Sequence, residues 1–126
     1  MMAPASSIPP TRLRPVLAGY GYSATGAIMS AYVIFDVEIH DMARYQEFMT
    51  GVKPALEAAG ARYLSRGGAH RVYEGEWAPR RIVILEFPSV AAWETFYNGP
   101  VYQGLKHIRD ACSSARLVGV EGLESA

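Results

Sequence analysis

Cysteine, net charge and long apolar runs are what this chain has least of. Cys112 is the single cysteine among 126 residues, so no internal disulfide can form, nothing points to an oxidising compartment, and a cytoplasmic protein is expected. Twelve Lys and Arg balance twelve Asp and Glu, which removes the electrostatic basis for holding a phosphate backbone or an anionic membrane. Neither nucleic acid nor a membrane is expected as a partner. No apolar stretch approaches the ~20 residues of a membrane-spanning helix, and the N-terminus lacks the compact apolar core of a secretory signal. Histidine is scarce too: His40, His70 and His107 are scattered, without the short helical spacing of a zinc site, so no metal is expected. Gly67-Gly68 is too short to be a phosphate loop, and no cofactor is expected.

What the chain does have is apolar content, 50% of residues, enough for one real core. Its distribution is uneven. In residues 1–28, Pro4, Pro9, Pro10 and Pro15 interrupt every apolar stretch and Arg12 and Arg14 meet no acidic residue; the segment reads as a disordered extension, with an organelle-targeting peptide as the weaker alternative. Residues 29–126 read as a single domain.

From Ala31 the pattern becomes regular. Ala31 to Ile39 alternates Val33, Phe35, Val37 and Ile39 with Tyr32, Ile34, Asp36 and Glu38, which is a strand with one fully apolar side. Asp41 is placed to cap a helix carrying Tyr45, Phe48, Met49, Val52, Leu56 and Ala59 at three- and four-residue steps. Gly60 should end that helix, and Pro54 should kink or divide it. Ala61 to Arg66 reads as a second strand, with Gly67-Gly68 giving a bulge or bend before an extended piece at Val72 to Glu74. Arg81 to Phe87 is the clearest buried strand. Ser89 then caps a helix with Val90, Trp93, Phe96 and Tyr97, broken at Asn98-Gly99-Pro100 and continued by Val101, Leu105, Ile108 and Cys112. Ala115 to Val120 closes the series as a strand. The order β-α-β-β-α-β specifies an α+β, ferredoxin-like sandwich: one antiparallel sheet with two helices on one face.

The first and third strands are expected at the centre as parallel neighbours, with Val33, Phe35, Val37, Ile39, Val83, Leu85 and Phe87 toward the helices. Tyr32, Ile34, Ile82 and Ile84 would then form an apolar patch on the other side, and a homodimer closed through the sheet face removes it from water. The segments YVIFDVEI, YLSRGGAHRVYEGEW and RRIVILEFPSVAAWETFYNGPVYQGLKHIRDACSSARLVGVEG resemble the bacterial domain of unknown function family DUF1330, of the dimeric α+β barrel group. The resemblance covers Ala31 to Gly122 and implies architecture; related folds serve cofactor-free monooxygenases, haem-degrading enzymes, isomerases and plain binding proteins, so it selects no reaction.

Two constellations can carry chemistry. Asp36 and Glu86, both facing away from the helices on neighbouring strands, would form a catalytic acid and base pair if the register set them side by side, with one pKa raised. The simpler alternative is ion pairing with Arg62, Arg66, Arg109 or Arg116. Arg66, Tyr97, Tyr102 and Arg109, with His107 nearby, would line a cleft between helix and sheet, where guanidinium forks and phenols suit a carboxylate or enolate ligand. Tyr97 as a core aromatic, and Arg109 as a solvated residue paired with Asp110 or Glu94, are the competing readings. Cys112 falls on an apolar stripe and reads as inert core. The expected function is a small homodimer binding an anionic or carbonyl-containing organic molecule, with cofactor-free proton transfer or oxidation; the alternative is a non-catalytic module binding a metabolite or a protein. Since residues 1–28 contain no periodic segment able to offset the entropy of ordering, a chain starting at Met29 is expected to melt with the full chain. A loss of several degrees in a thermal melt would show that the segment packs on the domain.

Overall fold

Strand β1 (Ala31–Ile39) lies where the alternation runs longest, and its odd-numbered residues from Ala31 to Val37 are all buried. The computed structural model describes residues 29–123; the extension read over residues 1–28 lies outside them. Helix α1 (Met42–Ala58) starts as expected, with the Asp41 carboxylate accepting from the Arg44 N–H at 3.2 Å. It runs unbroken through Pro54, against the expected division. Pro54 lies on the solvent side while Tyr45, Phe48, Val52 and Leu56 are buried, and the packed face outweighs one lost backbone bond.

Strand β2 (Arg62–Arg66) follows a positive-φ turn at Gly60, and β3 (Ile82–Phe87) follows a long connection. No strand forms at Val72 to Glu74; residues 67–81 hold neither helix nor strand. The two ends of this connection meet at His70, whose ring nitrogens lie 3.4 Å from the Gly68 carbonyl oxygen and 3.1 Å from that of Pro79. Helix α2 (Val90–Asn98) is capped by Ser89, and α3 (Pro100–Cys112) begins on a proline, where the missing N–H costs nothing. Strand β4 (Ser113–Glu121) completes the chain of elements.

The sheet order is β2-β3-β1-β4, and every neighbouring pair is antiparallel. The expected parallel pairing of β1 and β3 is therefore corrected. The crossover through α1 returns β2 in the direction of β1 but one strand away, and β3 fills the gap running opposite to both. Val33 faces Leu85 and Phe35 faces Val83 across this pair, so the two apolar faces join into one floor beneath the helices. Phe87, Trp93, Phe96, Tyr102 and Phe48 form a chain of ring contacts with centroids 5.1–6.5 Å apart over that floor. In α3 the inward positions belong to Tyr102, Arg109 and Cys112, while Val101 points to solvent.

The irregularity placed by sequence at Gly67-Gly68 lies instead between Tyr63 and Ser65, where the β2–β3 register slips by one. Tyr63 pairs with Leu85 and Arg66 with Val83, both helix-side partners. A strand of strict period two would send residues 63 and 66 to opposite faces; the bulge sends both inward. The other face of the sheet carries Tyr32, Ile34, Ile82 and Ile84 half-buried, with Leu64, Val118 and Val120 exposed beside them. Among the described residues, no helix is long and apolar enough to cross a membrane.

Candidate ligand-binding site

The antiparallel register separates the two carboxylates. Asp36 stands opposite Ile82 and Arg116, whereas Glu86 stands opposite Tyr32 and Arg62, four residues or about 13 Å apart along the strand. Each has its own arginine. Arg62 Nε donates to Glu86 Oε1 at 2.6 Å, and Arg116 Nη2 donates to Asp36 Oδ2 at 3.1 Å, with the Arg80 backbone N–H adding a 2.8 Å bond to Oδ1. The Arg62 bond outweighs desolvation and holds Glu86 below the usual glutamate range. At Asp36 burial pushes upward, but the Arg80 N–H and Arg116 together win and lower the carboxyl. No raised, proton-holding carboxylate results from either.

The helix side of the sheet holds the cavity. It is lined by Phe35, Tyr45, Phe48, Tyr63, Phe96 and Tyr102, with Met49, Val52, Leu56, Val83 and Leu85 filling the walls and Arg66 and Arg81 as its cations. Its volume is about 30 Å³, room for about two waters. Arg66 stacks over the Tyr63 ring with Cζ 4.7 Å from the centroid, and Arg81 lies 6.0 Å from the Tyr45 centroid. Among the described residues neither guanidinium pairs with a carboxylate. Arg81 Nη2 lies 3.8 Å from the Met49 thioether, the guanidinium also hydrogen-bonds with the Tyr45 phenol, and its Nε is buried without any hydrogen-bond partner.

Gly67 makes room for this arrangement. It holds φ at +70°, and a Cβ there would run into Arg81 Nη1, so both the backbone and the space call for glycine. That gives the Arg66-Gly67-Gly68 segment a physical role: it sets Arg66 on the rim and clears the path of Arg81.

Behind the cavity stands a buried polar pair. Arg109 is 3% exposed and Tyr102 2%; Arg109 Nη1 donates to the Tyr102 hydroxyl at 2.5 Å, and Nη2 reaches Asp110 at 3.4 Å. The guanidinium lies 5.9 Å from the Phe35, Phe48 and Tyr102 ring centroids, and its Nε has no partner. Burial pushes the Tyr102 phenol up to about 12, although Arg109 pulls the other way; the phenol keeps its proton at neutral pH. On the far side of this pair Tyr97, Lys106, Arg109 and Asp110 line a wider groove of about 530 Å³ against Ala115 and Leu117 of β4.

The four expected ligand-binding residues are thus divided: Arg66 and Tyr102 line the cavity, Tyr97 and Arg109 line the groove, and the Tyr102–Arg109 bond is the partition. His107 is exposed on α3. Cys112 is buried, its thiol donating to the Ile108 carbonyl at 3.2 Å and pushed up by desolvation. Among the described residues no three His, Cys, Asp or Glu side chains gather as a metal site would require.

The domain of unknown function described as DUF1330 matches residues 30–123. The chain belongs to this family. Its fold is shared by a protein of unknown function from Rhodopseudomonas palustris, 17% identical, with a TM-score of 0.70 over 94% of this chain and 97% of that one. It is shared more distantly by SnoaB, a cofactor-independent oxygenase from Streptomyces nogalater, 7% identical, with a TM-score of 0.53 over 77% of this chain and 96% of that one. No curated protein matches. These likenesses show for this DUF1330 chain a shared α+β fold.

The sequence places Tyr45 and Met49 in the helix core and Arg81 at the start of a strand, and assigns none of them, nor Tyr63, to the cavity. The signal for Arg81 was present: residue 81 continues the odd-numbered series of Val83, Leu85 and Phe87, and its carbonyl extends the ladder by accepting from the Val37 N–H at 2.9 Å. Tyr63 and Arg66 needed the bulge, which no residue of β2 announces.

The ion pairs on the outer face make a testable pattern. Arg62 is 72% exposed, so it regains water when its partner goes, and Glu86→Gln is expected to cost only about 0.5–1 kcal/mol in urea unfolding. Asp36 and Glu86 are both lowered in the folded state. Their contribution is full above the ordinary carboxylate range and is lost as pH falls through the lowered values, below about pH 4. Glu86→Gln should therefore flatten the acid limb of stability against pH; an unchanged limb would remove Glu86 as one of its sources.

Proposed function

We propose that this protein is a homodimer, closed sheet to sheet, that binds a small anionic or carbonyl-containing organic molecule in the aromatic cavity of each subunit. The observation that carries the ligand is Arg81. A guanidinium with a buried, partnerless Nε and no counter-charge bears a desolvation cost that an anion or a carbonyl oxygen recovers. Arg66 on the rim supplies a second planar fork, and aromatic rings give the organic part of a ligand its contact surface.

Binding is better supported than turnover. No carboxylate or imidazole lines the cavity, so the general base that proton transfer needs is missing from the described lining. Likeness to the oxygenase SnoaB supports cofactor-free oxidation only through the fold.

The dimer rests on the outer face. Ile34, Ile82, Ile84, Val118 and Val120 form a continuous apolar field between two ion pairs, Asp36–Arg116 toward one end and Glu86–Arg62 toward the other. Covering each such side chain is worth on the order of 1.5–3 kcal/mol at full burial, against the cost of association. A two-fold axis buries the same field on both subunits and leaves none exposed.

Light scattering at micromolar concentration is expected to give twice the chain mass, and Ile84→Lys, which would bury an unpaired ammonium, to give a folded monomer. A monomeric unmodified protein overturns the dimer. For the ligand, mass spectrometry of an acid extract from purified protein is expected to reveal an organic anion that Arg81→Gln protein no longer carries; equal recovery from both would remove Arg81 from the site.

A further inference from the structure

Size and donor set narrow the occupant of the cavity. The space of about 30 Å³ is small, about two water-sized groups before any side chain moves, which favours a small planar group over a tetrahedral phosphate. Phosphate sites also draw on backbone N–H groups of glycine-rich loops and helix starts, whereas Arg66, Arg81 and the phenols offer side-chain donors alone. The arginine fork fits a planar carboxylate edge to edge. Arg81 Nε is already desolvated and partnerless.

A second donor stands at the far wall. The Tyr102 hydroxyl accepts from Arg109 Nη1, which leaves its own hydrogen without an acceptor among the described residues, and the phenol stays protonated at neutral pH. It can donate to a carbonyl or hydroxyl oxygen, not to a bare methyl group. Met49 limits the length of the occupant. Its thioether lies against Arg81 Nη2 and, being flexible, it can be trimmed without disturbing a strand or a cap.

Resting on the ligand reading above, we infer that the cavity is a site for a short monocarboxylic acid, with its carboxylate on Arg81 and Arg66 and any second oxygen on Tyr102. Larger and neutral molecules are rejected, the first by Met49 and the second by the Arg81 charge, which no carboxylate among the described residues balances.

The test is an NMR titration of the full ¹⁵N-labelled chain at neutral pH with acetate, pyruvate, benzoate and acetamide, following the Arg66 and Arg81 Nε–H signals. Ligands this small bind at best in roughly the millimolar range. Acetate and pyruvate are expected to shift both signals, pyruvate more tightly, and acetamide to bind roughly tenfold more weakly or not at all. Benzoate is expected to bind only in Met49→Ala. In Arg81→Gln, acetate should weaken by about tenfold or more, read on Arg66. Acetamide binding as well as acetate would overturn the carboxylate assignment and leave a site for a neutral organic ligand standing. Benzoate binding the unmodified protein more tightly than acetate would overturn the size limit alone. Silence of every probe in both the unmodified protein and Met49→Ala would overturn the ligand reading itself.

Discussion

The antiparallel pairing of β1 with β3 is the constraint on which the rest of the structure depends. Once Phe35 faces Val83 and Val33 faces Leu85, side-chain alternation sends every odd residue of both strands to the helices and every even one away. The same pairing does three things at once. It builds the core floor, it turns Arg81 inward at the end of the series, and it spaces Asp36 and Glu86 along the sheet so that each meets an arginine from an outer strand. A shift of a strand by one residue would turn its outward side chains toward the helices, carboxylate included.

Around this floor the molecule concentrates positive charge where it has few acids. Arg81 and Arg109 approach the aromatic layer from two sides, each with a buried Nε that nothing answers, while the paired arginines, Arg62 and Arg116, are on the opposite face and mostly in water. Surface pairs of that kind are worth little. Buried guanidinium groups are costly: Arg109 has the Asp110 carboxylate at 3.4 Å, Arg81 pairs with no carboxylate among the described residues, and the surrounding rings offset part of the cost through their negative faces.

Fold and site were unequally legible. Asp41 and Ser89 announced their caps, and Gly99-Pro100 its helix break, because these are decided within four or five residues by backbone geometry. The extended piece at Val72 to Glu74 failed to appear because three residues with no neighbouring strand have nothing to pair with. Arg109 was hardest to place: beside Asp110 on a helix it reads as a solvated pair, yet seven residues after Tyr102 it falls two turns along the same inward stripe, and the phenol takes it into the core.

The sequence by itself determined the main helices and strands, their order and the apolar sides of β1 and β3, since periodicity and capping are properties of short windows. Tertiary structure alone decided which strand lies beside which, that the β2 bulge turns Arg66 inward, that Arg81 rather than Tyr97 lines the cavity, and that the two carboxylates never meet. Those outcomes depend on pairing between segments some fifty residues apart, where many registers satisfy the local pattern and the summed burial of both faces selects one.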